Sequence, residues 1–224
     1  MKAKDVFLNG CNEISKAFIE YGFKPLKKGQ LLQKRSVEND MVYEIYFQTS
    51  QRNWAGSVVV WPHCNIYSNE LKNWEKEHTE YEKPEGLIYT NTIGYVSPYN
   101  CFKEYNLAGA TFNKTILEII NDVKLYFIPI FDILNNRNNA MEFLKINGTK
   151  FNKWTESSLQ PIAFMICFAG RENAEIFLNN FIESCKYGKR IRNYYNKLME
   201  NEDEPADFLE GYNIKIAYRN GIKI

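Results

Sequence analysis

The spacing of apolar residues changes early in the chain. Val6, Cys11, Ile14, Phe18 and Tyr21 recur at steps that keep them on one helical stripe. The spacing predicts a helix over residues 5–21, closed at Gly22, the usual residue for a left-handed cap. Pro25 then disfavours helical backbone at Lys24 and starts an extended stretch. Further on, Tyr43, Ile45 and Phe47 alternate with Glu44, Tyr46 and Gln48, the pattern of a half-buried strand. The run Val58-Val59-Val60-Trp61 is apolar on both faces and suits an interior strand. Strands are therefore expected over 31–36, 41–49 and 57–61. The polar separators at 37–40 and 50–53 favour antiparallel hairpins, and Pro62 marks a strand end or an edge.

Ser68 stands where it would cap a short helix carrying Leu71, Trp74 and His78 on one side. Residues 87–96 read as extended, and 98–109 as an aromatic loop. After that the period becomes helical. Phe112, Ile116, Ile119, Ile120, Val123 and Phe127 form a stripe that ends before Pro129, with a further helical turn over 130–134. Asn139 is placed to cap a short helix over 140–144. Residues 159–169 are apolar almost all round, as in a buried helix, with Pro161 in the first turn and Gly170 as its stop; a second helix over 172–186 completes a helical hairpin. The last segment alternates again at Tyr212, Ile214, Ile216 and Tyr218, which predicts a strand, and Asn220-Gly221 is a hairpin signal.

The expectation is an α+β fold: an N-terminal helix on an antiparallel sheet of four to six strands, with a helical C-terminal half. It is read as a single domain over 1–224, made of a helix-plus-sheet part (1–97), a mostly helical part (98–204) and a C-terminal strand tail (205–224).

Composition narrows the function classes. Of 224 residues 45% are hydrophobic and 15% aromatic, which supports a packed core. A net charge of +1 gives no global field toward nucleic acid or membranes. Five scattered cysteines without a C-x-x-C pair read as reduced, mostly buried thiols of a cytoplasmic protein. No signal peptide and no apolar run of membrane-spanning length is read. The phrases of acyl-transfer, dinucleotide and P-loop sites are absent, so no cofactor is expected.

The residues with candidate chemistry are few. Glu75-x-x-His78, with Glu82 further on, falls short of a metal set, and no metal is expected. His63, Cys64 and His78 are the candidate catalytic residues, because so few side chains here titrate near neutrality; His63 and Cys64, as neighbours on a strand, point apart. Lys186, Lys189, Arg190, Arg192 and Lys197, interleaved with tyrosines, form a candidate polyanion site. The alternative is a helix with Ile191, Tyr194, Tyr195 and Leu198 inward, and the acids at 200–207 would neutralise the cations. Trp54, in the polar turn 51–56, is either an interface anchor or a ring folded back over the sheet edge.

The phrase Tyr21-Gly22-Phe23-Lys24-Pro25-Leu26-Lys27-Lys28-Gly29 after the helix, the strand Tyr43–Gln48, the segment Tyr126-Phe127-Ile128-Pro129-Ile130-Phe131 and the stretch from Ile162 to Ala174 together resemble a bacterial domain-of-unknown-function family over about residues 5–187. The resemblance implies the same helix–sheet–helix order. Some members sit near toxin systems, which implies an interaction or immunity-type role and supplies no catalytic residue. The favoured expectation is thus a cytoplasmic, non-enzymatic protein that binds another protein. The alternatives are an enzyme with a site where sheet meets helices, and polyanion binding through 186–197.

Overall fold

The structure, a computed structural model, describes residues 2–36, 38 and 40–224. The expected turn at 37–40 lies partly outside them, at residues 37 and 39. The chain forms two compact units, Met1–Ile66 with Thr90–Asp132, and Tyr67–Tyr89 with Ile133–Ile224.

The first unit opens with α1 (Ala3–Lys16), which buries Phe7, Cys11 and Ile14. The helix is shorter than its apolar stripe suggests. From Ala17 on, the N–H groups of Ala17, Phe18, Tyr21 and Gly22 each reach back three residues, so the last apolar positions lie on tight turns. Gly22, at φ 82°, is the stop as expected, and the Phe23 N–H closes back onto the Phe18 carbonyl.

Among the described residues six strands follow: β1 (Lys24–Leu26), β2 (Leu31–Ser36), β3 (Met41–Thr49), β4 (Val59–Ser68), β5 (Leu87–Thr92) and β6 (Tyr105–Asn106). They make an antiparallel sheet in the order β1-β2-β3-β4-β5, with β6 also beside β4, so the architecture is α+β. The period-two pattern of β3 is the one it uses. Met41, Tyr43, Ile45 and Phe47 are buried and the residues between them half-buried. Phe131 covers that face, 5.7 Å from the Tyr43 ring and 5.6 Å from Phe23. Each such buried side chain contributes roughly 1.5–3 kcal/mol.

Pro62 does not end β4; the strand runs through it to Ser68. The backbone explains why. The Val58 carbonyl accepts from Leu107 and the Ser68 N–H donates to Gly86, so even-numbered residues of β4 turn their backbone groups toward β6 and β5. β6 pairs only at Val59 and Val60, and beyond it Asn65 meets Thr90 of β5. Pro62 falls between those two partners, where its missing N–H costs no ladder bond.

Past Thr92 the backbone tightens into a 3-10 turn (Ile93–Val96), shortening the extended stretch read over 87–96. The unit closes with α3 (Phe112–Tyr126) and most of α4 (Ile128–Ile133), in which Pro129 takes a first-turn position. The 98–105 loop is tied to α3 by a polar knot. Tyr105 and Tyr99 donate to Asp122 (2.5 and 3.1 Å), Lys103 pairs with Glu118 at 3.0 Å, and its ammonium lies over both tyrosine rings. Burial and the neighbouring carboxylates push the Tyr99 hydroxyl up to about 12, so it stays protonated and keeps its O–H to donate.

The second unit holds α2 (Asn69–His78), α5 (Arg137–Asn147), α6 (Ile162–Phe164), α7 (Gly170–Ser184), α8 (Gly188–Glu200) and α9 (Gly211–Arg219). Ser68 Oγ caps α2 by accepting from Leu71 N–H at 3.0 Å, as expected. The cap of α5 is Asn136, not Asn139, and the helix is longer at both ends. The apolar stretch 159–169 is helical only from Ile162 and loosens into a π-helical turn (Met165–Ala169).

The expected C-terminal strand tail is a helix. α9 buries Gly211, Ile214, Ile216 and Ala217, while Lys215 and Arg219, one turn apart, face acids. Arg219 pairs with Glu80 and, at 2.7 Å, with Asp203. A helix satisfies its own backbone, whereas a lone strand needs an edge to join. Asn220-Gly221 is the stop of α9, not a hairpin. Gly221 has φ 72°, and the Ile222 N–H returns to the Ala217 carbonyl at 3.0 Å.

Candidate functional site

His63 and Cys64 occupy successive positions of β4 and point to opposite faces, as their spacing requires. Cys64 is fully buried, and burial pushes its thiol up to about 12, so it is no nucleophile near neutrality. His63 lies beside Tyr46, ring centroids 6.1 Å apart, and burial lowers its pKa. Its Nε2 and the Thr92 Oγ1 are buried without a hydrogen-bond partner among the described residues. His78 belongs to the second unit. Its ring stacks on Trp74 at 4.6 Å, and its Nδ1 lies 2.9 Å from the Trp74 carbonyl. All five cysteines are free, but only Cys11 and Cys64 are buried; Cys101 is exposed and Cys167 and Cys185 are intermediate. The reading of mostly buried thiols is corrected to that extent. Among the described residues no group of three or more His, Cys, Asp or Glu is placed to hold a metal.

Trp54 is 65% exposed, on a tight turn in which Trp54 and Ser57 exchange backbone hydrogen bonds. Asn53 braces that turn through the Thr49 hydroxyl and the Val59 backbone. The indole lies over Gly56, where a Cβ would come within 2.3 Å of the ring. The ring therefore rests on its own turn with most of its surface exposed.

The basic stretch lies on α8, with Ile191, Tyr194, Tyr195 and Leu198 buried, the inward set that the sequence pattern names. Two of its cations are committed to the acidic run. Arg190 pairs with Asp207 at 3.0 Å and stacks on Phe208, and Lys197 pairs with Glu204 at 3.3 Å. Lys186, Lys189 and Arg192 are exposed and have no ion-pair partner among the described residues.

Beside these residues the second unit opens a groove of about 720 Å³. Phe181 and Ile191 are buried in its floor, while Tyr187 (51% exposed) and Leu209 (93% exposed) stand on its rim. Lys150, Lys186, Arg190, Glu156, Asp207 and Glu210 also line it.

The chain matches no family model, no curated protein and no solved structure.

A smaller cavity of the same unit, about 220 Å³, gathers Glu75, Tyr81, Lys83, Glu85, Leu87, Gln160 and Asn213. Glu75, on α2, is 3% exposed and its Oε2 accepts the Gly86 N–H at 2.8 Å. Burial raises its pKa, partly offset by the Gly86 and Glu85 backbone N–H groups. Gly86 has φ 70° and passes so close to β4 that a Cβ there would stand 2.0 Å from the Ser68 carbonyl oxygen.

Sequence reasoning names neither cavity. For the groove the available signal is Phe208-Leu209, an apolar pair set between Asp207 and Glu210. For the small pocket it is Glu75 itself, at a position on the buried side of α2 together with Leu71.

Proposed function

We propose that this chain is a non-enzymatic binding protein that docks an acidic, apolar-anchored segment of another protein in the groove of its second unit. The observation that carries the reading is Leu209, 93% exposed on the rim of an apolar groove. An apolar side chain so placed gains burial only when something covers it. Charge chooses the occupant. Lys186 lines the groove, Lys189 and Arg192 follow on α8, and none is ion-paired among the described residues. Carboxylates beside an apolar anchor would complement them. A polyanion such as RNA suits the site less well, because Asp207 and Glu204 already occupy Arg190 and Lys197. The resemblance of residues 5–187 to a family with members near toxin systems fits the same reading, as does a cytoplasmic setting.

Selection of a displayed random-peptide library on the full chain, counter-selected on a Leu209→Ser/Lys186→Glu variant, tests this. Recovered peptides should pair Asp or Glu with an aromatic or aliphatic residue, and the variant should weaken them about tenfold or more. Peptides that are basic, or that bind both proteins equally, would sink the proposal.

A further inference from the structure

The 220 Å³ cavity around Glu75 is separate from the groove, and its chemistry is different. Glu75 carries the features of a carboxylate waiting for a counter-charge. It is 3% exposed, and among the described residues no Lys, Arg or His forms an ion pair with it. Its hydrogen bonds come from the backbone N–H groups of Gly86 and Glu85. An ionised carboxylate offers about four acceptor positions, so those two bonds leave half of its capacity unused. A buried charge without a partner is costly, and a cation brought beside it removes much of that cost.

The rest of the lining suits a donor-rich guest. Asn213 donates its Nδ2 to Glu210 at 2.8 Å, which leaves its carbonyl oxygen as an acceptor. The Tyr81 hydroxyl is held protonated by burial and by the Glu75 charge, with its pKa pushed up to about 12. Leu87 adds an apolar patch. The volume lies below the ~300–1,000 Å³ of drug-sized sites, which selects a small metabolite. Among the described residues no three His, Cys, Asp or Glu gather here to hold a metal ion.

We infer that this pocket binds a small ligand through a primary ammonium group, seated against the Glu75 carboxylate. Of the cations nearby, Lys72 acts on Glu75 through its charge, and Lys83, exposed, stands on the lining, where its removal takes away a rival positive charge. The inference does not depend on the groove.

The test is a titration of the uniformly ¹⁵N-labelled full chain with n-butylammonium chloride, followed by amide NMR. Sodium chloride at equal ionic strength and 1-butanol serve as controls. Saturable shifts are expected at the Gly86 N–H and the Asn213 side-chain amide, with none from either control. Glu75→Gln should weaken binding by about tenfold or more, and Lys83→Ala should tighten it. No saturable shift, an equal response to 1-butanol, or unchanged affinity in Glu75→Gln would overturn the assignment. Should Glu75→Gln not fold, Lys83→Ala decides: affinity unchanged or weakened overturns it. Loss of peptide binding at Leu209 would leave this result untouched.

Discussion

The two cavities of the second unit solve opposite problems. The groove leaves apolar side chains uncovered and keeps its charges at the rim, where water screens them. The small pocket hides a carboxylate and holds it with backbone N–H groups. One surface gains most from what it excludes, the other from what it admits. The contrast teaches that a near-neutral chain can still carry two cavities of distinct chemistry within a single unit, which a net charge of +1 conceals.

Substitutions can break or sharpen this contrast. The largest effect is expected at the wall of the small pocket. Gly86→Ala places a methyl group against the Ser68 carbonyl at a positive φ, and should destabilise the protein by about 3 kcal/mol in urea unfolding. An unchanged midpoint would mean that the wall is not held by this close approach. Next comes Glu75→Leu, which leaves the Gly86 and Glu85 N–H groups without their acceptor and should cost about 2 kcal/mol.

A smaller effect is read in the pH dependence of stability. Burial raises the Glu75 pKa above its ordinary 4.5. Between 4.5 and the raised value the folded chain holds a proton that the unfolded chain has released, so stability falls as pH rises through that window. Relative to Glu75→Gln, the wild-type chain should therefore lose stability as pH climbs from 4.5. A difference between the two proteins that stays flat with pH would remove the claim that this carboxylate is held out of water. The smallest change in stability belongs to the groove. Leu209→Ser should shift unfolding by no more than about 0.5 kcal/mol, with the same pH dependence as wild type, while peptide binding is lost. A marked loss of stability would show that Leu209 is a packing residue after all.

Much of the fold of each unit can be read from residue order, because it depends on neighbours along the chain. Tyr43, Ile45 and Phe47 alternate and are buried together on β3, and Ser68 caps α2. Ile191, Tyr194, Tyr195 and Leu198 face inward on α8. The misreadings arise where a distant element decides. Tyr212, Ile214, Ile216 and Tyr218 alternate well enough for a strand, but Lys215 and Arg219 find Glu80 and Asp203 when the segment coils. Pro62 is tolerated because β4 changes partners at that point, a fact held in the sheet and not in the heptapeptide around it. The Glu75 pocket is the extreme case. Glu75, Gln160 and Asn213 come from three separated stretches, and no local pattern relates them.

The division of the chain also sets a schedule for its synthesis. Residues 67–89 are translated in the middle of the first unit, yet they belong with residues 133–224. At ~5–20 residues per second, α2 waits on the order of ten seconds for α6, the helix it packs on, to leave the ribosome. Meanwhile residues 90–132 arrive and can complete the first unit. The nascent chain therefore carries an early helix whose apolar side is unclaimed until the later segments of its own unit arrive.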